Sequence, residues 1–169
     1  MVRCDHTSVG LIVQRENDDF LVIKRKNFPI SYACVAGHCD GDDPKKAALR
    51  ELREEVRLHA INVREVLFNR YQNSCRREGG THHDWSVFEV DWIGIVHASS
   101  DAAEALWVSP EELKVLIART CLFASKYQRN IDDAKLLVLL KDDLEWQENP
   151  GLEPVWCQII GRLHPEFVP

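Results

Sequence analysis

The chain has 169 residues, with 27 Asp and Glu against 21 Lys and Arg, so its formal net charge is −6. This length is typical of one domain, and an apolar content of 45% is enough for a packed core and too high for a disordered chain. The acidic balance argues against binding to duplex nucleic acid, which needs a basic surface. It does not exclude a small anionic substrate, because a bound metal ion reverses the local field.

The chain shows no targeting signal. Met1–His6 is followed by polar residues, so the apolar region of a secretory signal is missing, and no apolar run approaches the about 18 residues that span a bilayer. These features predict a cytoplasmic protein without membrane contact. Six cysteines without a Cys-x-x-Cys pair predict reduced thiols rather than disulfides or a structural zinc site. Only Cys34 and Cys39, which flank a Gly-His pair, have a position that suggests a special role.

The first half of the chain predicts strands followed by one clear helix. Ser8–Val13 and Phe20–Arg25 are predicted strands, and the polar turn between them suggests a hairpin. Tyr32–Cys39 is a short apolar segment that predicts a third strand. Pro44–Leu58 is the clearest helix, because Asp43 can cap it and proline suits its first position. The predicted apolar stripe of this helix is Ala48, Leu49, Leu52 and Val56.

The second half predicts two longer strands and then helices. Asn62–Asn73 and Trp85–Val96 are rich in β-forming residues, and their connection, Ser74–His83, is long, basic and of the kind that carries function. Ser109 and Glu112 predict a capping box at the start of a helix. Further helices are predicted within Lys126–Trp146 and over Val155–Gly161. Strands interleaved with helices predict an α/β or α+β protein with a mixed sheet.

Three glutamates share one face of the predicted helix 44–58. At about 100° per residue, Glu51, Glu54 and Glu55 lie within an arc of about 100°. Like charges at this spacing destabilise a helix by a few tenths of a kcal/mol each, so an opposite charge should offset them. Neighbouring arginines on a solvated face would do so, and so would a divalent metal ion such as Mg²⁺, which prefers carboxylate oxygens.

The residues in front of these glutamates favour the metal site. The segment from Gly37 to Leu58 resembles the Nudix box of the Nudix hydrolases, which is a glycine, five residues, a glutamate, seven residues and then Arg-Glu-(apolar)-x-Glu-Glu-x-Gly-(apolar). The run Arg50-Glu51-Leu52-Arg53-Glu54-Glu55 matches every defined position of its core, and Leu58 matches the last position. Ala105–Leu113 also resembles a segment common downstream in the family.

The resemblance covers about residues 6–142 of one predicted domain, 1–169, with residues 143–169 as a C-terminal extension. It implies an α/β/α sandwich with a mixed β-sheet and a catalytic loop-helix-loop. Two departures stand out, since Arg57 replaces the glycine and an aspartate replaces the first glutamate. Counting back from Arg50 selects Asp42 and counting forward from Gly37 selects Asp43, because the segment is one residue shorter than the pattern. An arginine can continue helical turns, so its effect is expected at the helix exit.

The resemblance also implies roles for the residues of the box. Glu54 and Glu55 would bind Mg²⁺ or Mn²⁺, Glu51 would be a ligand or the base that orients water, and Arg50 would hold a glutamate in place. Further ligands implied by the family are a backbone carbonyl at Gly37 or Ala36 and an acid outside the box, for which Glu89 and Glu104 are the candidates.

The activity implied is metal-dependent hydrolysis of a pyrophosphate bond in a nucleoside diphosphate linked to another group. Such a small nucleotide-type molecule would be the partner, and the resemblance also suggests a homodimer. Candidate phosphate contacts are Arg76, Arg77, His82 and His83, and candidate stacking residues for a base are Trp85, Tyr71 and Phe28. His38 is expected to form a local hydrogen bond rather than to bind metal.

Two alternatives remain open at this point. The departures at Arg57 and at the first acid are compatible with a Nudix-fold module that senses a nucleotide without hydrolysis. An isopentenyl-diphosphate isomerase shares the fold and uses a cysteine directly before Gly-His. Here Ala36 precedes Gly37 and the nearest upstream thiol is Cys34, which argues against the isomerase.

Overall fold

The structure is a computed structural model that describes residues 2–169. Its strands are β1 (Thr7–Val13), β2 (Phe20–Arg25), β3 (Tyr32–Ala33), β4 (Val35–His38), β5 (His59–Tyr71), β6 (His83–Ile93) and β7 (Ala102–Val108). Its helices are α1 (Pro44–Val56), α2 (Pro110–Lys126), α3 (Leu136–Asp142), α4 (Leu144–Glu148) and α5 (Pro154–Leu163), followed by a 3₁₀ turn over Pro165–Phe167.

The strands form two sheets between two layers of helices. One sheet has the order β4-β1-β6-β5, with β1 and β6 parallel, and the other has the antiparallel order β3-β2-β7. Successive side chains of β1 point to opposite faces, so Leu11 packs in the same cluster as Leu52 of α1 while Ile12 packs in the same cluster as Trp156 of α5. This arrangement confirms the predicted α/β/α sandwich with a mixed sheet.

The predicted hairpin of the first two strands is wrong. β1 pairs with β4 along one edge and β6 along the other, so it has no free edge for β2, and only an isolated bridge joins Gln14 to Phe20. The turn between them is a corner that joins two different sheets, and within it the buried Asp19 accepts hydrogen bonds from Arg15 and Asn17. The segment predicted as one strand over 32–39 is likewise divided at Cys34 into β3 and β4, which belong to different sheets.

The helix caps follow the sequence closely. The Asp43 side chain accepts hydrogen bonds from the first backbone N–H groups of α1, and the capping box of Ser109 and Glu112 begins α2. Leu49 is 40% exposed and does not belong to the apolar stripe of α1. The helix predicted within 126–146 is two short helices, α3 and α4, and Val138 of α3 faces solvent.

The C-terminal segment is part of the main core. α5 buries Trp156 completely, and its ring lies over Gly10 of β1, where a Cβ atom would come within 2.6 Å of the ring. Residues of 152–167 therefore pack in the same core as the strands, whereas Trp146 packs in a separate cluster with α2 and α3, and one domain over 1–169 stays a prediction. Within residues 2–169, no helix combines the length and apolar character that crossing a bilayer requires.

Candidate active site

The glycine of the box, Gly37, and Glu51 of α1 are in direct contact. Glu51 of α1 is buried, at 7% exposure, and its carboxylate lies against Gly37 of β4. A Cβ atom at Gly37 would lie 2.0 Å from the carboxylate carbon, far inside contact distance. The glycine is therefore needed because any side chain there would displace the Glu51 carboxylate.

Arg50 connects this glutamate to the neighbouring strand. Its Nη1 donates to Glu51 Oε1 at 2.6 Å and its Nη2 donates to the His38 backbone oxygen at 2.8 Å. Its Nε lies 3.8 Å from Asp42 Oδ2, and its Nη1 lies 3.6 Å from Glu54 Oε2. Asp42 thus occupies the place of the family's first glutamate beside the arginine, as the backward count selects.

Burial leaves the carboxylates short of compensating charge. Burial raises the pKa of Glu51 to about 7, although the Arg50 guanidinium acts in the opposite direction. Burial also raises the pKa of Glu55, which Arg25 opposes and the Asp101 carboxylate reinforces. The Glu55 and Glu54 carboxylates raise the pKa of Glu51 further, and carboxylates that resist ionisation fit a hard divalent cation such as Mg²⁺ or Mn²⁺, because its charge offsets theirs.

A cleft of about 570 Å³ opens beside these groups. Glu51 and Glu55 line one side, and loop 74–77 with Arg76 lines another. Arg77 also lines the cleft, where its guanidinium pairs with Asp40. The cleft therefore combines carboxylates with arginines, which suits a metal ion and an anionic substrate together.

The structure brings only some of the predicted substrate residues to the cleft. His82 stacks on the His6 ring at 4.4 Å and does not line the cleft. His83 does, but it is 1% exposed and burial lowers its pKa to about 4, so it is neutral near pH 7 and is no cationic phosphate contact. Trp85 is buried in the core and donates through Nε1 to the Asn73 side chain.

Of the aromatic candidates for stacking, Phe28 and Trp85 both line the cleft, but Phe28 is half-buried whereas Trp85 is only 5% exposed. Tyr71 is buried in the core at 4% exposure and does not line the cleft. Phe28 lines the cleft and is only partly buried. The placement therefore favours Phe28 over Trp85 and Tyr71 for a stacked base.

Neither acid predicted outside the box lies in the cleft. Glu89 forms an ion pair with Arg64 and lines a separate cavity, and Glu104 is exposed on β7 opposite Lys24. An acid outside the box that does line the cleft is Asp101, directly before β7 and close enough to act on the Glu55 carboxylate. A local sequence pattern could not select Asp101, because Asp101 comes near α1 only through the pairing of β7 with β2.

Two further charged groups of the cleft were not predicted. Arg25 at the end of β2 and Glu153 before α5 both line it, and Arg25 Nη1 lies 3.3 Å from Glu153 Oε2. Cys34 is 1% exposed, and burial raises its pKa to about 12, so its thiol is not reactive near neutral pH. This burial removes the remaining support for an isomerase that uses a cysteine near the Gly-His pair.

A comparison of the chain with models of protein families gave a match. The model of the NUDIX domain family matches residues 5–130, which is most of the chain. The comparison with curated proteins gave no match.

Several solved structures share the fold at low sequence identity. The E. coli dihydroneopterin triphosphate pyrophosphohydrolase superposes with a TM-score of 0.57 at 17% identity, over 68% of this chain and 88% of that one. The MutT NUDIX hydrolase from Burkholderia pseudomallei has a TM-score of 0.54 at 19% identity, over 63% and 84% of the two chains. A NUDIX hydrolase from Nitrosomonas europaea has a TM-score of 0.54 at 17% identity, over 65% and 76%.

Proposed function

The chain belongs to the Nudix hydrolase family, whose members act on phosphorus-containing anhydrides, and we propose that it hydrolyses a pyrophosphate bond in a nucleoside diphosphate linked to another group. In this proposal Glu54 and Glu55 hold Mg²⁺ or Mn²⁺, and Glu51 is a further ligand or the base that orients water. The observation that carries it is the contact between the buried Glu51 carboxylate and Gly37 at the wall of the cleft. This contact holds the glycine of β4 against the glutamate of α1, which is the arrangement implied by the residues that match the Nudix box.

The residues of α1 have distinct roles in this reaction. When bound, the metal ion supplies positive charge to the diphosphate and lowers the pKa of a water molecule. Glu51, with a pKa of about 7, suits a group that accepts a proton from the attacking water near neutral pH. Arg50 holds the Glu51 carboxylate in place through its 2.6 Å hydrogen bond. The more exposed Glu54 and the half-buried Glu55 are the proposed metal ligands.

The arginines of loop 74–77 and the ring of Phe28 would hold the substrate. Arg76 is exposed and not paired in an ion pair of residues 2–169, so its guanidinium is available to the anionic diphosphate. Arg77 already pairs with Asp40, so the Asp40 carboxylate partly offsets its positive charge toward a substrate. Phe28 is the proposed stacking surface for the base.

The proposal is tested with Glu54→Gln and Glu55→Gln, which keep the size of each side chain and remove its charge. We expect pyrophosphohydrolysis with Mg²⁺ or Mn²⁺ to be lost in both variants while circular dichroism shows a retained fold. Glu65→Gln changes an exposed glutamate of β5 and serves as the control. Wild-type rates in the two helix variants would contradict the proposal.

The substrate itself is identified with a panel of compounds. The panel contains nucleotide sugars, dinucleotides, ADP-ribose-like compounds and modified nucleoside triphosphates, and the readout is released monophosphate or pyrophosphate. Thermal stabilisation by a nucleotide without any product over hours would favour the sensing module instead. A homodimer stays a prediction from the family and is tested by sedimentation equilibrium.

A further inference from the structure

Two thiols and two imidazoles from distant parts of the chain meet beside the cleft. They are Cys4 in the N-terminal segment, His38 in β4, Cys75 in loop 74–82 and His83 at the start of β6. One ligand atom from each lies within 4.8 Å of all the others. Cys4 and His83 are buried, and the other two side chains are half-buried. None of the four belongs to the carboxylate helix.

The spacing of these atoms is close to that of a tetrahedral zinc site. With Zn–S bonds of about 2.3 Å and Zn–N bonds of about 2.0 Å, tetrahedral geometry separates two sulfurs by about 3.8 Å and a sulfur from a nitrogen by about 3.5 Å. Cys4 Sγ lies 3.7 Å from Cys75 Sγ, 3.8 Å from His38 Nε2 and 3.1 Å from His83 Nε2. Small shifts of the side chains would complete the tetrahedron.

Hydrogen bonds orient two of these groups as ligands. His83 Nδ1 donates to the Asn73 backbone oxygen at 2.9 Å, so its Nε2 is left with a lone pair directed at Cys4. The backbone N–H of His6 donates to Cys4 Sγ at 3.3 Å. Outer contacts of this kind commonly fix the tautomer and the direction of metal ligands.

The loop is shaped around the Cys75 thiol. The Cys75 N–H donates to the Gly80 oxygen at 3.0 Å, and a Cβ atom at Gly80 would lie 2.2 Å from Cys75 Sγ. The Cys4 N–H donates to the Glu78 oxygen at 2.9 Å, which joins the N-terminal segment to the same loop. These backbone hydrogen bonds therefore bring both thiols to one point. Thiols are weak hydrogen-bonding groups, so hydrogen bonds between them do not by themselves require this arrangement.

We propose that Cys4, His38, Cys75 and His83 hold one Zn²⁺ ion, in a site separate from the carboxylates of α1. Two thiolates and two neutral imidazoles suit zinc, and their charges cancel that of the ion, which makes its burial favourable. The site has a structural role beside the cleft. His38 also accepts the hydrogen bond of Arg50 through its backbone oxygen, so the ion fixes the strand that faces the carboxylates.

Zinc content is the first test, on the full chain purified without a chelator and without a histidine tag. We expect about one zinc ion per chain by mass spectrometry of the metal. Cys4→Ser and Cys75→Ser should lose it. The matched controls, Cys121→Ser and His82→Asn, should retain it, because neither side chain belongs to the cluster. Glu54→Gln should also retain it, which separates this site from the proposed function.

Replacement of zinc by Co²⁺ is the second test, and it identifies the ligands. We expect thiolate-to-cobalt charge transfer in the near ultraviolet and strong visible bands of tetrahedral cobalt in the wild-type protein. Co²⁺ held only by carboxylates would give weak bands and no charge transfer. This spectrum decides the question even where a cysteine variant fails to fold.

Three outcomes would overturn the proposal. One is a wild-type protein that shows neither zinc nor thiolate charge transfer after reconstitution with Co²⁺. Another is zinc content unchanged in Cys4→Ser and Cys75→Ser. The third is a disulfide between these two cysteines in the freshly purified protein, detected by peptide mass spectrometry before and after reduction.

Discussion

Arg57 ends α1 in the left-handed conformation, with φ 63° and ψ 20°, at the position where the Nudix box has a glycine. The effect of the arginine is found at the helix exit, where it was expected: α1 ends at Val56, two residues before the predicted Leu58, and the Arg57 N–H closes the last turn on the Arg53 oxygen. A left-handed conformation costs a residue with a Cβ about 1–2 kcal/mol, whereas glycine adopts it freely. The family's glycine therefore serves the helix exit, and this chain accepts a strained residue there.

Arg57→Gly should stabilise the protein by about 0.5–1 kcal/mol, because relief of the strain exceeds the greater entropy of glycine in the unfolded chain. The measurement is the free energy of unfolding in urea, followed by circular dichroism. Arg57→Ala is the control and should change stability little, since alanine keeps the Cβ atom. Equal stabilisation by both variants would show that the arginine side chain, and not the backbone, is the cause.

At the scale of elements, Asp143 joins the end of α2 to the start of α4. It accepts hydrogen bonds from Lys126 Nζ at 2.8 Å, Tyr127 Oη at 2.7 Å and the Trp146 N–H at 2.8 Å. These donors, with Lys126 first, lower the pKa of Asp143 from 3.8 to about 2. The folded protein therefore binds this proton more weakly than the unfolded chain does. The stabilisation is present above about pH 4 and is lost as the pH falls toward 2.

Asp143→Ala should destabilise the protein by about 1–3 kcal/mol at pH 7, because it removes a helix cap and two hydrogen bonds to a charged group. The loss should shrink as the pH falls through the range in which Asp143 becomes protonated. Urea unfolding at several pH values measures both effects. Asp142→Ala, at the exposed neighbouring position, should have little effect at any of them. A loss that does not depend on pH would contradict the role of the carboxylate.

Loop 74–82 is the element that the zinc proposal affects most directly. Treatment with a chelator selective for zinc over magnesium should increase the rate of tryptic cleavage after Arg76 and Arg77, because the ion no longer fixes Cys75. KM should rise more than kcat falls, since Arg76 is a proposed substrate contact. The same chelator loaded beforehand with zinc is the control. Cleavage at an unchanged rate, from a protein shown to have lost its zinc, would contradict this structural role.

The contrast between the two sites shows what the sequence could predict. Glu51, Glu54 and Glu55 lie within one helix, so their shared face follows from the helical repeat alone, and Gly37 is close to them along the chain. Cys4, Cys75 and Asp101 reach the cleft region from separate elements. Their positions depend on how the sheets are ordered. A search for local metal motifs therefore missed the cluster, because its ligands are spread over four segments.

Strand pairing was the other feature that local patterns could not determine. The apolar, β-forming residues of β1 and β2 predicted both strands within one residue, yet a polar turn between two strands fits a corner as well as a hairpin. The pairing of β1 with β6 depends on side chains far away in sequence, such as Val87 opposite Gly10. That β1 and β2 do not form a hairpin matters for function, because β2 belongs to the second sheet and carries Arg25 to the cleft.

At the scale of the whole molecule, the segment beyond the family match completes both the core and the cleft. The family model ends at residue 130, but α5 lies after it and places Trp156 in the main core, edge-on to Trp85 at 5.7 Å. Glu153, directly before α5, lines the cleft and pairs with Arg25. The C-terminal segment of this chain therefore supports the site as well as the fold.

Trp156→Ala should destabilise the protein by about 3–5 kcal/mol, because it leaves a cavity against Gly10 that backbone atoms cannot fill. Trp156→Phe should cost much less, since it keeps most of the ring and removes a buried indole N–H that has no hydrogen-bond partner. The control is Leu144→Ala, at a position 74% exposed in the same segment. Urea unfolding followed by circular dichroism gives all three values. A loss in Trp156→Ala as small as in Leu144→Ala would show that α5 is an appendage and not part of the core.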